Sequence, residues 1–187
     1  FLEDKGEESR YIFGFEESYG YLAGTYVRDK DAVVASMLIC EMAAFYRTKG
    51  FSMIQARDNL YKKYGVYVHT QQSFTCEGKT GMEKMKEIMT GLRENPPAEI
   101  GGLKVTKISD YIKSVSVDTQ TGEQTQITLP KSDVLVFELT GGASAIIRPS
   151  GTEPKIKVYY TTTGAEKASA QNLEKEISKD FQKILGF

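Results

Sequence analysis

The chain has 187 residues, 40% of them hydrophobic and 26% charged, which excludes a disordered tail and supplies apolar material for one core or two small ones. A formal net charge of -1 leaves no basic surplus, which excludes wholesale binding of nucleic-acid phosphates, so any anion site must be local. No apolar run approaches the roughly 20 residues of a spanning helix and no signal-peptide pattern is present, so the sequence predicts a cytoplasmic protein with neither a membrane nor a nucleic-acid partner.

The chain opens at Phe1 without a methionine and runs at once into patterned sequence, which reads as a piece of a longer protein with part of its chemistry upstream. After a charged start, YIFGFEESYGYLAG reads as a short strand running into a loop. Asp31 is a plausible N-cap for a helix to Gly50, with Val34, Leu38, Met42 and Phe45 near helical spacing. A second helix is expected over 52–64, and VYVHTQQSFTCEG, from Val66, reads as extended. Together these resemble the closing part of an α/β unit. Of the two cysteines, Cys40 in its apolar helix pattern reads as core and Cys76 as part of a polar strand or loop, with no disulfide framework or metal knuckle.

Around Gly78 the character changes, and GKTG reads as a flexible joint, placing a domain boundary between 1–77 and 78–187. An amphipathic helix follows, stopped by Pro96 and Pro97, with Met82, Met85 and Met89 expected in the core. The runs KVTKISDYI, QTQITL, DVLVFEL, SAIIRPS and KIKVYYTTT have β-branched enrichment, with Gly141 and Gly142 in a hairpin turn. A last helix over 165–185 carries Leu173, Ile177 and Phe181 on one face. The second part therefore reads as an α+β domain with an antiparallel sheet packed by helices.

Within RPSGTEP, Arg148 offers a planar fork of donors, Ser150 and Thr152 offer hydroxyls, and Gly151 lets backbone N–H groups approach a ligand. Pro149 and Pro154 bracket the turn and restrict its backbone. Desolvating a phosphate demands this kind of donor cluster, whereas the plainer reading is a surface turn with a solvated arginine. Upstream, GFEESYG sets Glu16 and Ser18 two apart, so an extended backbone points both one way. A carboxylate there suits vicinal sugar hydroxyls, and the plainer reading is a solvated strand end. His69, the only histidine, reads as packing or surface.

RPSGTEPKIKVY resembles the phosphate-binding loop of the last domain of the α-D-phosphohexomutases, the phosphoglucomutases and phosphomannomutases, with every defining position present. The resemblance implies that Arg148, Ser150, Gly151 and Thr152, with Lys155 close by, hold the non-reacting phosphate of a phosphosugar, and that Glu153 supports the loop. GFEESYG is similar to the family's third-domain sugar loop in its phosphoglucomutase and phosphopentomutase branch, which gives Glu16 and Ser18 the sugar contacts. Phe15 and Tyr19 stand where glycine is usual, and Gly20 where histidine often stands. RDKDAVVASMLICEM is also similar to this branch and puts Arg28 or Lys30 near the site.

The resemblance covers an α/β remnant of the third domain and the whole C-terminal domain. It implies an isomerase parent that moves phosphate between C1 and C6 of a hexose, or C1 and C5 of a pentose, through a phosphoserine and a bisphosphorylated sugar. Mg²⁺ and a glucose 1,6-bisphosphate-type activator belong to that full-length enzyme, and none is expected on this chain, which shows neither a Ser-His-Asn-type loop nor an Asp-Gly-Asp loop. No catalytic and no metal-binding residue is expected here, the chain alone is expected to be inactive, and its partners are a phosphosugar and the upstream domains. A hinge near Gly78 to Gly81 would close the last domain over the substrate. The alternative is a non-catalytic phosphosugar-binding or regulatory module, and a purely structural domain would have no phosphosugar affinity.

Overall fold

The computed structural model describes every residue except Phe1, Glu17, Ser18, Glu77, Gly78, Lys79 and Thr152. It divides into two compact units, Phe1–Leu60 and Tyr61–Phe187.

The first unit holds an antiparallel hairpin, β1 (Phe13–Phe15) and β2 (Tyr21–Ala23), with Phe15 opposite Tyr21. Helix α1 (Ala32–Thr48) begins where expected, because the Asp31 carboxylate accepts hydrogen bonds from the N–H groups of Val33 and Val34. Gly50, with φ +77°, stands just beyond the end of α1. No residue of α1 is buried, which corrects two expectations: Cys40 is exposed rather than a core filler, and Met42 and Phe45 are exposed while Val34 and Leu38 are half-buried. Helix α2 (Met53–Tyr64) runs across the division between the units.

The second unit is an eight-stranded, wholly antiparallel sheet. Its strands are β3 (Val66–Thr75), β4 (Glu99–Ile100), β5 (Leu103–Asp110), β6 (Val115–Asp118), β7 (Gln124–Gln126), β8 (Leu135–Leu139), β9 (Ser144–Pro149) and β10 (Lys155–Gly164). The order is β3-β10-β9-β8-β5-β6-β7, with β4 paired to β5. Strict alternation along β10 buries Ile156, Val158, Tyr160 and Thr162 and turns Lys155, Lys157, Tyr159 and Thr161 the other way. The buried row meets helix α3 (Gly81–Glu94), through Met85, Met89 and Leu92, and helix α4 (Lys167–Ile184), through Ile177 and Phe181. Phe181 lies edge-on to both Phe137 and Tyr160 at the centre of this core. Met82, expected in the core, is exposed one turn before Met85.

The boundary expected at 77/78 differs from the structure. Residues 66–75 were assigned to the first domain, yet they pair along their whole length with β10, from Val66 opposite Gly164 to Thr75 opposite Lys155, and bury Val66 and Phe74. Of the expected joint at 78–81, Gly78 and Lys79 lie outside the described residues; β3 before it and α3 after it pack into one core. The glycine hairpin is found as read, with Thr140–Gly142 turning β8 into β9. The chain thus joins an α/β unit to an α+β unit with an antiparallel sheet packed by helices.

Candidate phosphosugar site

In the second unit, the turn between β9 and β10 carries the RPSGTEP residues. Arg148 sits near the end of β9, exposed, on the sheet face away from the helices. The turn is closed by Ser150 N donating to the Lys155 carbonyl at 2.8 Å, and by Lys155 N donating to the Glu153 carbonyl at 2.7 Å. The Ser150 hydroxyl accepts from Glu153 N at 3.3 Å, and the Glu153 carboxylate pairs with the Lys155 ammonium at 3.3 Å. Glu153 thus braces the turn through both backbone and side chain. A Cβ at Gly151 would meet nothing within 4 Å, so neither crowding nor a positive φ requires glycine in the free turn. Close approach of a ligand would favour glycine here. Thr152 lies outside the described residues.

One residue that sequence reading passed over belongs beside this turn. The register sets Lys157 directly opposite Arg148, on the same face, with Lys155 two residues along. Like charges opposed across a ladder repel. An anion between them would remove that penalty. The strict alternation of KIKVYY carries the orientation of Lys157; its partner is set only by the strand register.

In the first unit, Glu16 follows β1, and its N–H donates to the Gly20 carbonyl at 2.8 Å to close the turn between β1 and β2. Ser18 lies outside the described residues. Tyr19, 89% exposed, takes φ +66°, a left-handed conformation that glycine adopts without strain, which accounts for the usual glycine at this position. Lys30 reaches back to Glu16 at 3.7 Å and to Asp29 at 2.8 Å. The hydrogen bond from Lys30 lowers the Asp29 carboxyl below its ordinary range, and the same bond, with the charges of Asp29 and Glu16, raises the Lys30 ammonium. Both groups are therefore charged at neutral pH. A side chain at Gly20 would run into the Lys30 stem, 2.5 Å away, and crowd the Glu16 carboxylate at 3.1 Å. Glycine at 20 is what lets carboxylate and ammonium meet across a cleft of about 200 Å³, also lined by Tyr11, Phe15 and Arg28. Arg28 itself pairs with Glu3 at 3.3 Å and donates to the Thr25 carbonyl. A carboxylate beside an ammonium offers acceptors and donors together, a pairing suited to the hydroxyls of a sugar.

Two family descriptions match the chain. Residues 1–64 match phosphoglucomutase/phosphomannomutase, alpha/beta/alpha domain III, and residues 93–179 match the phosphoglucomutase/phosphomannomutase C-terminal domain. The chain belongs to the phosphoglucomutase/phosphomannomutase family. It is 43% identical over 155 residues to a phosphoglucomutase of Staphylococcus aureus (strain bovine RF122 / ET3-1), covering 83% of this chain and 28% of that protein. A phosphoglucomutase of Staphylococcus epidermidis (strain ATCC 35984) is 41% identical over 154 residues, again 28% of its length. The chain thus spans under a third of these relatives. Its fold is similar to the open form of pp63/parafusin, an exocytosis-sensitive phosphoprotein (phosphoglucomutase) from Paramecium, with TM-score 0.59, 21% identity, all of this chain and 32% of that one covered. Both turns described above lie within family-matched segments, Glu16 to Lys30 in the first and Arg148 to Lys157 in the second.

Proposed function

We propose that this chain is the substrate-holding part of a phosphoglucomutase-like enzyme that interconverts sugar 1-phosphate and 6-phosphate, or pentose 1- and 5-phosphate, through a phosphoserine and a bisphosphorylated sugar. Arg148, Ser150, Gly151, Thr152 and Lys155, joined by Lys157, hold the phosphate that is not reacting. Glu16 and Ser18 hold sugar hydroxyls, with Lys30 beside Glu16 and Arg28 at the edge of the same cleft. The observation that carries the reading is the cationic row at the β9–β10 turn: Arg148 opposite Lys157, with Lys155 beside a serine whose backbone closes the loop.

Among the described residues no three His, Cys, Asp or Glu side chains are grouped to hold a metal ion. On this reading Mg²⁺, the phosphoserine and the bisphosphate activator belong to upstream domains. What these residues contribute is remote binding. Contacts to the distal phosphate and hydroxyls hold the reacting oxygen in line, and such binding lowers a barrier when it is expressed in the transition state. We place the enzyme in the cytoplasm; among the described residues no helix is long and apolar enough to cross a membrane.

Calorimetric titration of the 187-residue chain with glucose 1-phosphate and with glucose tests the reading. Saturable heat for the phosphosugar, absent for glucose and lost in Arg148→Ala, is the expected outcome. Equal responses to both sugars, or an unaffected Arg148→Ala, would overturn the phosphate assignment.

A further inference from the structure

We propose that Gly81 and Cys76 are positioning residues for the phosphate-binding turn, acting by wedging the first turn of α3 against its downstream arm at Pro154. The inference rests on the reading of that turn as a phosphate site.

The downstream arm of the turn is tied to the end of β3. Cys76, 1% exposed at the end of β3, donates its N–H to the Pro154 carbonyl at 2.8 Å. The preceding Thr75 is paired with Lys155, so the last of β3 runs alongside the arm that leaves the turn. Gly81, the first residue of α3, lies against both: a Cβ there would collide with the Cys76 carbonyl oxygen and stand 3.1 Å from the Pro154 Cβ. Its φ is not in the left-handed region, so backbone conformation gives no reason for glycine, and alanine is the better helix former. Close approach is the reason that remains.

Behind Gly81, α3 is not free to yield. Met85, Met89 and Leu92 are buried in the core, and Arg93 binds the carboxylates of Asp110 and Asp133. The helix is thus a fixed stop against which Pro154 rests. A stop of this kind sets the arm carrying Glu153 and Lys155 before ligand arrives, so the donors of the turn are already in register and less ordering is needed on binding. Neither Gly81 nor Cys76 touches the ligand.

The test compares glucose 1-phosphate affinity and amide shifts of Ser150, Gly151 and Lys155 in the wild-type 187-residue chain and its variants. Gly81→Ala should displace those amides in the free protein and weaken binding about tenfold. Gly91→Ala, in open space on the same helix, and Leu139→Ala, at the β8–β9 end of the sheet, which lowers the melting temperature through a core cavity, should leave affinity unchanged. Should Gly81→Ala fail to fold, Pro154→Gly removes the wedge from the other side without overpacking α3, and the same weakening is expected. Unchanged affinity in the folded wedge variant, or equal weakening in Leu139→Ala, overturns the inference. A wild-type chain with no saturable binding overturns the phosphate-site reading and this inference with it, whereas binding indifferent to the wedge overturns the inference alone.

Discussion

Arg148 and Lys157 face one another across two strands with nothing in the register to separate their charges. A guanidinium that forks two parallel hydrogen bonds to phosphate oxygens is not matched by an ammonium. Arg148→Lys should therefore recover only part of the affinity that Arg148→Ala loses, a loss of about 10- to 100-fold in Kd by titration. Because Arg148 is exposed, the melting temperature should barely move. The pair Tyr26 and Asp31 makes a different residue-scale prediction. The Tyr26 hydroxyl first, and then the N–H groups of Val33 and Val34, lower the Asp31 carboxyl below its ordinary value. A carboxyl depressed in the folded state contributes stability that is present above its unfolded value and is lost as pH falls through the folded one. Helix α1 should therefore hold its cap down through the ordinary carboxylate range and fray only below it. NMR titration of the Asp31 carboxyl should show a low midpoint that rises in Tyr26→Phe, and an identical midpoint in the two proteins would contradict the assignment. At this scale the sequence was most readable where residues are contiguous: Arg148, Ser150 and Lys155 share one turn, and Asp31 sits directly before its helix. Lys157 opposite Arg148 and Gly20 beneath Lys30 depend on strand register and turn closure, which no local pattern states.

Helix α3 has Gly81 against the β9–β10 turn at its start and Arg93 at its last turn. Arg93 bonds Asp110 at 3.2 Å and Asp133 at 2.5 Å, with Arg93 and Asp110 side chains only 13% and 8% exposed. Removing the guanidinium would leave the Asp110 carboxylate with the Ile112 and Lys113 N–H groups and the more distant Lys113 ammonium. Arg93→Ala should accordingly lower stability by about 2–4 kcal/mol, measured from urea unfolding midpoints, somewhat less than for a fully enclosed pair. A change under about 0.5 kcal/mol would mark the triad as an ordinary surface contact. The helices were legible as elements because caps and apolar spacing are local signals, as Asp31 and Met85, Met89 and Leu92 show. Strand β3 was legible as a strand but assigned to the wrong unit. Its polar alternation fits the edge of either sheet, and only pairing with β10, far along the chain, decides. The four residues of β6 were too short a run to register, and α1 has an apolar period without the burial that such a period ordinarily implies.

Taken as a molecule, the chain has one substantial core, in the second unit, and a first unit whose apolar groups, such as Phe13, Phe15, Met37 and Phe45, stand open to solvent. A net charge of -1 gives the protein no general attraction for anions, so the proposed phosphosugar binding rests on the local groupings at Glu16 to Lys30 and Arg148 to Lys157. Both groupings were visible in the sequence as short motifs, whereas the boundary expected at GKTG stands apart from the division into two compact units after Leu60, inside a helix. On the proposed function the β9–β10 turn takes a phosphate and the Glu16–Lys30 cleft takes sugar hydroxyls. Amide shifts of the 187-residue chain, followed while inorganic phosphate and then glucose 1-phosphate are added at millimolar concentration, test it most directly. Phosphate alone should move Ser150, Gly151 and Lys155, and the phosphosugar should move these and also Glu16, Gly20 and Lys30. Shifts confined to one motif with the phosphosugar, or none that saturate, would contradict the account.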